Sequence, residues 1–380
     1  MKIVDINVHY LEIPFPGDFH PTWGYGRTEK TYGLTLVEVC TDEGISGYGS
    51  CPGMWGWGAT QKAIIEHMLK PRLLGRDPFA TEQLIMIIRG APGRPWLVEN
   101  ALWDIIGKVA GMPIYKMWGG FQSRLKAYAA WGELRTPEKA AEDAQHLVEK
   151  GFKGVKVRLH HEKMADDIAL VEAVRKAVGD RLTIMVDANQ AVAPYRAGGP
   201  GTDVLWSYER ALKTARALEF LDVFWLEEPL PIDDFRDLTR LAKETDILIA
   251  GGETNRGMHE FKLFLDRECY DILQPNCTMS EGMFQVRKIA AMAEVNHKLC
   301  IPHAWGPGPS FFANLQVAGS ANNAPWIEFP YDPPAITPEN LHMIIMDPPR
   351  IDSEGYVAIP DKPGLGIEIN WNVIKRYGKT

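Results

Sequence analysis

The run Leu182-Thr183-Ile184-Met185-Val186-Asp187-Ala188-Asn189-Gln190 is short, apolar on both pleat faces, and stops in a carboxylate. Val223-Phe224-Trp225-Leu226-Glu227-Glu228-Pro229 has the same form, as does Ile247–Ala250 followed by Gly251-Gly252-Glu253-Thr254-Asn255. A strand apolar on both faces belongs to a parallel sheet covered on both sides. Outward from these three, strands are predicted at Leu125–Ala130, Gly154–Leu159, Asp271–Gln274, Leu299–Pro302 and Trp326–Phe329. Helices are predicted between them, at Pro137–Lys150, Glu162–Val178, Asp203–Leu218, Asp234–Glu244, His259–Arg267, Glu281–His297 and Pro309–Ser320. The first is opened by Thr136 as cap and Pro137 at its first position, and the second carries Met164, Ile168, Val171, Val174 and Val178 on one face. A doubly wound open sheet uses the same alternation, but eight strand–helix repeats in roughly 205 residues suit a (β/α)8 barrel better.

The 380-residue chain therefore divides into an α+β domain over residues 1–123, an α/β barrel over residues 124–331 and a tail over residues 332–380. In the first part Ile3–Ile13, Tyr32–Cys40 and Ile45–Tyr48 read as strands, with Thr41-Asp42-Glu43-Gly44 as turn. Thr60–Leu69, Ala80–Arg89 and Trp96–Val109 read as helices. Two loops rich in Pro, Gly and aromatics, residues 16–25 and 51–58, are expected to act as lids. The proline-rich tail ends in a strand-like Gly366–Asn370 and is expected to fold back on the N-terminal domain.

With 41 basic against 49 acidic residues the net charge is −8, and there is no Lys/Arg run. A nucleic-acid or membrane-surface role is excluded on that balance. The five cysteines are odd in number and scattered, which argues against a disulfide framework or a thiolate zinc site and for a cytoplasmic, reducing setting. No apolar stretch approaches the roughly 20 residues of a membrane helix, and Met1–Ile6 reads as a first strand rather than a signal peptide.

In such barrels chemistry collects at the C-terminal ends of the strands. Asp187, one of the pair Glu227 and Glu228, and Glu253 reach that rim from three successive strands. Converging carboxylates repel in a low dielectric, and a hard divalent cation such as Mg²⁺ resolves the repulsion. Pleat alternation puts Lys156, Arg158 and His160 on one face of the second strand, with Val155, Val157 and Leu159 on the other. Basic groups pointing into a barrel need acids, and the next three strands supply them. Gln274-Pro275-Asn276, His303 and Glu328 close the ring of polar strand ends.

These residues, with Ala101-Leu102-Trp103-Asp104-Ile105-Ile106-Gly107-Lys108 continuing through Pro113 to Gly119-Gly120, resemble the enolase superfamily. Within it the likeness is to the mandelate racemase-like (mandelate racemase/muconate lactonizing enzyme) subgroup, over nearly the whole chain. The resemblance implies a modified TIM barrel under an N-terminal capping domain completed by the C-terminal tail, and a homo-oligomer. It also implies one Mg²⁺ per chain on Asp187, Glu227 and Glu253, with Glu227 rather than Glu228 as ligand. The cation would hold a substrate carboxylate and stabilise the enediolate formed when the α-proton leaves.

Two departures bear on the reaction. Where the subgroup often carries a lysine base this chain has Arg158, a poor proton acceptor, and where it pairs its histidine with an aspartate this chain has Asn276. Racemisation needs proton carriers on both faces, whereas dehydration can use one. The expected activity is a Mg²⁺-dependent carbon–oxygen lyase, an acid-sugar dehydratase of carbohydrate catabolism turning an aldonate or aldarate into a 2-keto-3-deoxy acid. His303 is the expected base and acid, oriented by the amide oxygen of Asn276, with Lys156 as substitute base and Arg158 as clamp. Glu328 is expected as a neutral hydrogen-bond donor if burial raises its pKa. Substrate contacts are expected from His20, Trp23, Tyr25, Trp55, His160 and Asn189. Racemase, epimerase and lactone cycloisomerase activities are the alternatives, followed by a non-catalytic carboxylate-binding descendant.

Overall fold

A computed structural model describes residues 1–24, 26–53, 56–192 and 204–379. β1 (Ile3–Phe19), β2 (Glu29–Thr41) and β3 (Ser46–Pro52) form an antiparallel sheet in that order. The helix Leu97–Ala110 lies on this sheet, and glycine lets it come close: a Cβ at Gly49 would sit 1.9 Å from the Leu97 carbonyl oxygen. β1 runs further than the sequence suggests, through Pro14 and Pro16 to Phe19, with a register irregularity between Pro14 and Phe19. Stacking of Phe15 on Phe19 and Tyr32 holds this extension, so part of the expected lid 16–25 is strand. The loop 51–58 is likewise shorter, because β3 includes Cys51 and Pro52 and a helix begins at Trp57.

The barrel strands are β4 (Arg124–Ala130), β5 (Gly154–Arg158), β6 (Thr183–Asp187), β7 (Val223–Glu227), β8 (Leu248–Gly251), β9 (Ile272–Leu273), β10 (Leu299–Cys300) and β11 (Trp326–Pro330). They pair in parallel in sequence order from β4 to β10, and β11 returns to the free side of β4. Val155, Val157 and Leu159 face the helices, as the pleat requires. Inside, Tyr128, Met185, Trp225, Ala250, Ile272, Ile301 and Trp326 form an apolar plug to which seven strands or strand ends contribute. The polar site rests above this plug.

The tail departs from expectation. Gly364 and Gly366 have φ of 73° and 75°, which breaks the backbone before Gly366–Asn370 can extend. Ile369 makes only an isolated bridge to Ile345, and a helix, Trp371–Tyr377, follows. β12 (Tyr356–Ala358) pairs with β4, while β13 (Gly378–Lys379) adds to β1 at Tyr10 and Leu11. The tail thus ties the barrel to the capping sheet. The helix expected from Asp203 begins at Tyr208, where the Ser207 hydroxyl accepts from the Arg210 N–H at 3.3 Å. All five cysteines are free thiols, and among the described residues no helix is long and apolar enough to cross a membrane.

One tail residue makes stability depend on pH. His342 is buried against Phe311 and Phe312, and its Nδ1 accepts from the Gly308 N–H at 3.1 Å. Burial pushes its pKa down to about 3, so the folded chain keeps the ring neutral while the unfolded chain protonates it. Stability from this group is full above pH 6.5 and declines below it, by about 1.4 kcal/mol per pH unit until the folded ring titrates. Denaturant unfolding at pH 7 and pH 5 is expected to show this loss in the native chain and a shallower one in His342→Gln.

Candidate active site

Pleat alternation on β5 turns Lys156 and Arg158 into the barrel, where both are buried. The Lys156 ammonium lies 2.7 Å from Glu227, 2.8 Å from Glu328 and 3.5 Å from Asp187. Burial alone would loosen its proton, but Glu227, Glu328 and Asp187 outweigh that and hold it above the ordinary lysine range. Arg158 pairs with Asp187, and its Nε donates to the Trp131 carbonyl oxygen at 2.5 Å. Its guanidinium also lies 5.1 and 5.5 Å from the ring centroids of Trp23 and Trp305.

The acids are individually positioned. Asn189, at φ 49°, turns back so that its N–H donates to Asp187 Oδ1 at 2.8 Å and its amide to Oδ2 at 3.2 Å. Glu227 Oε2 accepts from Gln274 at 2.8 Å and from the Trp225 indole at 3.2 Å. Of the adjacent pair it is Glu227 that faces Lys156; Glu228 turns away, and its charge helps raise the pKa of Tyr270. Glu328 is held as an anion, contrary to the neutral donor expected. Burial works against that state, but Lys156, His303 and the Ala304 N–H at 2.7 Å lower its pKa.

His303 is oriented differently from the sequence expectation. Asn276 Oδ1 is occupied by the Thr278 N–H and hydroxyl, both at 2.8 Å, and the Met279 N–H at 3.2 Å. The amide nitrogen therefore faces the ring: Nδ2 donates to the His303 carbonyl oxygen at 3.1 Å and stands 2.9 Å from Nδ1. With an N–H pointing at it, Nδ1 is the acceptor, and the neutral ring carries its proton on Nε2. Nε2 lies 3.2 Å from Glu253 and 3.6 Å from Glu328.

A cavity of about 190 Å³ opens over this cluster, and Trp23, Arg158, Asn189, Glu253, His303 and Trp305 are part of its wall. Trp23 and Trp305 meet edge to face at 4.9 Å. Two expected contacts lie elsewhere: His20 is exposed beside Glu133, and His160 is buried with Nδ1 3.4 Å from the Ala188 carbonyl oxygen. Tyr25 and Trp55 fall outside the described residues. Trp305, Thr254 and Met279 line the cavity without having been singled out. The one signal for them is proximity, each lying one to three residues beyond a singled-out residue.

Among the described residues no three carboxylates or imidazoles are drawn together as a formed metal cage. The donor set nevertheless fits a hard divalent cation. The carboxylates Asp187, Glu227, Glu253 and Glu328 outnumber the fixed cations Lys156 and Arg158 by two. The imbalance falls on Glu227, whose pKa burial and the other three acids raise against the pull of Lys156. All of these donors are oxygens, which Mg²⁺ takes.

Residues 139–373 match the family model described as enolase C-terminal domain-like. Residues 19–119 match the mandelate racemase/muconate lactonizing enzyme N-terminal domain. The chain belongs to the mandelate racemase/muconate lactonizing enzyme group of the enolase superfamily. It is 33% identical to an arabinonate dehydratase of Saccharolobus solfataricus over 93% of this chain and 92% of that one. It is 28% identical to a D-galactarolactone cycloisomerase of Agrobacterium fabrum over 99% of each. A racemase structure from Streptomyces coelicolor with bound magnesium superposes with TM-score 0.85 at 25% identity, covering 99% of this chain and 100% of that one.

Nitrogen NMR of the histidine-labelled protein reads the His303 tautomer directly. The neutral ring is expected to carry hydrogen on Nε2 in the native chain and on Nδ1 in Asn276→Asp. A bare Nε2 in the native protein would contradict the arrangement.

Proposed function

We propose that the chain is a Mg²⁺-dependent dehydratase of a sugar acid, removing the proton α to the carboxylate and the β-hydroxyl to leave a 2-keto-3-deoxy acid. The observation that carries this is the uneven cavity wall. Among the described residues His303 is its one histidine, and Arg158, which keeps its proton, stands on that wall where racemisation would need a second proton carrier. The arabinonate dehydratase relative supports the same chemistry.

Mg²⁺ held by Asp187, Glu227 and Glu253 would make the α-proton acidic and loosen the proton on Lys156. Arg158, fixed by Asp187 and the Trp131 carbonyl, faces the substrate carboxylate with a permanent charge. His303 presents Nε2–H, so it meets the departing β-hydroxyl as a donor, as a neutral imidazole can. To act as base it would need a bare Nε2, which requires turning Asn276 and breaking the three hydrogen bonds on its Oδ1. Proton removal would then fall to Lys156 Nζ, which lies beneath the cavity wall and reaches the substrate only by leaving Glu227 and Glu328. Trp23 and Trp305 lie beside Arg158 on the cavity wall, where they would shield the substrate carboxylate from water. Base and donor are then two residues, where the sequence puts both roles on His303 with Lys156 as substitute base.

A panel of aldonates and aldarates with Mg²⁺ is the test. At least one is expected to give 2-keto acid, with chelator abolishing turnover and Lys156→Met and His303→Asn each lowering kcat by roughly 10²- to 10⁴-fold. Solvent deuterium entering the α-position without keto acid would replace dehydration by epimerisation. Lactone opening would favour cycloisomerisation, the activity named for the Agrobacterium relative.

A further inference from the structure

Beside the cavity over the acids lies a second one of about 210 Å³, lined by residues that include Gln61, Thr254, Arg256, Thr278 and Met279. The two share Pro52, Thr254 and Met279, so they adjoin along that edge. Each is smaller than the roughly 300 Å³ at which small-molecule sites begin, and together they exceed it.

The second cavity is polar in a particular way. Gln61 is buried, and its Oε1 has no hydrogen-bond partner; Thr254 Oγ1 at the junction is also buried without one. A buried polar atom left unpaired is unfavourable by about 1–3 kcal/mol, and natural sites that keep one commonly satisfy it with a ligand or water. Both residues line the cavity, so either group is placed beside a ligand hydroxyl there. Arg256 adds charge. Its backbone N–H is bound by Glu260 at 3.0 Å, but among the described residues no carboxylate pairs with its guanidinium. A guanidinium, a carboxamide and a threonine hydroxyl make a recognition set for a polyol that ends in an anion.

We propose that this second cavity holds the distal end of the substrate and that Arg256 binds a carboxylate there, which makes the substrate a dicarboxylic sugar acid rather than an aldonate. The inference rests on the dehydratase reading and adds the substrate class. The proximal carboxylate lies toward Arg158 and the acids, the chain of hydroxyls crosses the junction at Thr254, and the far carboxylate meets Arg256. Gln61 and Thr278 border the last hydroxyls. Arg256 is a binding residue: it raises affinity without touching the reacting carbons.

The test pairs galactarate with galactonate and glucarate with gluconate, in the native enzyme and in Arg256→Met. The native enzyme is expected to favour one dicarboxylate over its monocarboxylate partner by about tenfold or more in kcat/KM, as a charge-assisted pair allows. Arg256→Met is expected to erase that preference, chiefly through a raised KM for the dicarboxylate. Calorimetric titration of the Mg²⁺-loaded protein with galactarate and glucarate gives a second readout, with binding expected to weaken at least fivefold in the variant. Turnover of aldonates with no dicarboxylate preference, or an Arg256→Met enzyme indistinguishable from native, overturns the subsite and leaves the dehydratase reading standing. If no compound turns over, the dehydratase reading falls; Arg256-dependent dicarboxylate binding then supports the subsite alone, and its absence overturns that too.

Discussion

Carboxylates buried at one end of the barrel are the constraint to which the rest of the site answers. Asp187, Glu227 and Glu328 are fully enclosed and Glu253 partly so, with Lys156 and Arg158 as the cations among them. Burying like charges is unfavourable by several kcal/mol per ion unless opposite charge and hydrogen bonds offset it. The offsets are visible residue by residue: Asn189 on Asp187, Gln274 and Trp225 on Glu227, the Ala304 N–H on Glu328. What remains is an acid excess, and the proposed divalent cation would offset it. The protein's overall acidity plays no part in this; the charges that matter are the few at the strand ends.

The same cluster limits what each base-like group can do. Lys156 is bound to its acids and acts only as far as another cation relieves them. Arg158 cannot give up its proton and works as a fixed charge. His303 is set by Asn276, and Asn276 is set by the turn through Thr278 and Met279. A change in that turn would therefore alter proton chemistry at Nε2 without touching the ring.

Much of this was legible in the sequence. Asp187, Glu253 and one of the pair Glu227 and Glu228 announce themselves by equivalent placement on successive strands, the choice of Glu227 resting on the family resemblance, and pleat alternation alone turns Lys156 and Arg158 inward. The amide of Asn276 was not legible, because its direction is decided by N–H groups two and three residues on. Nor was the ionised state of Glu328, which depends on Lys156 reaching it across the barrel. Local composition misled at both ends of the chain. Prolines at 14 and 16 suggested a loop where aromatic stacking keeps β1 extended, and Gly366–Asn370 looked like a strand although glycines at 364 and 366 bend it. Arg256 carries no signal in the sequence, since it lines a cavity that no linear motif marks.

Titration with Mn²⁺ followed by electron paramagnetic resonance tests the central claim most directly, that the buried acids exist to hold a divalent cation. The expected result is one Mn²⁺ bound per chain, displaced by Mg²⁺, and none in a folded Asp187→Asn/Glu227→Gln double variant. A folded native chain that binds no Mn²⁺, or a double variant that binds it as well as the native chain does, would contradict it.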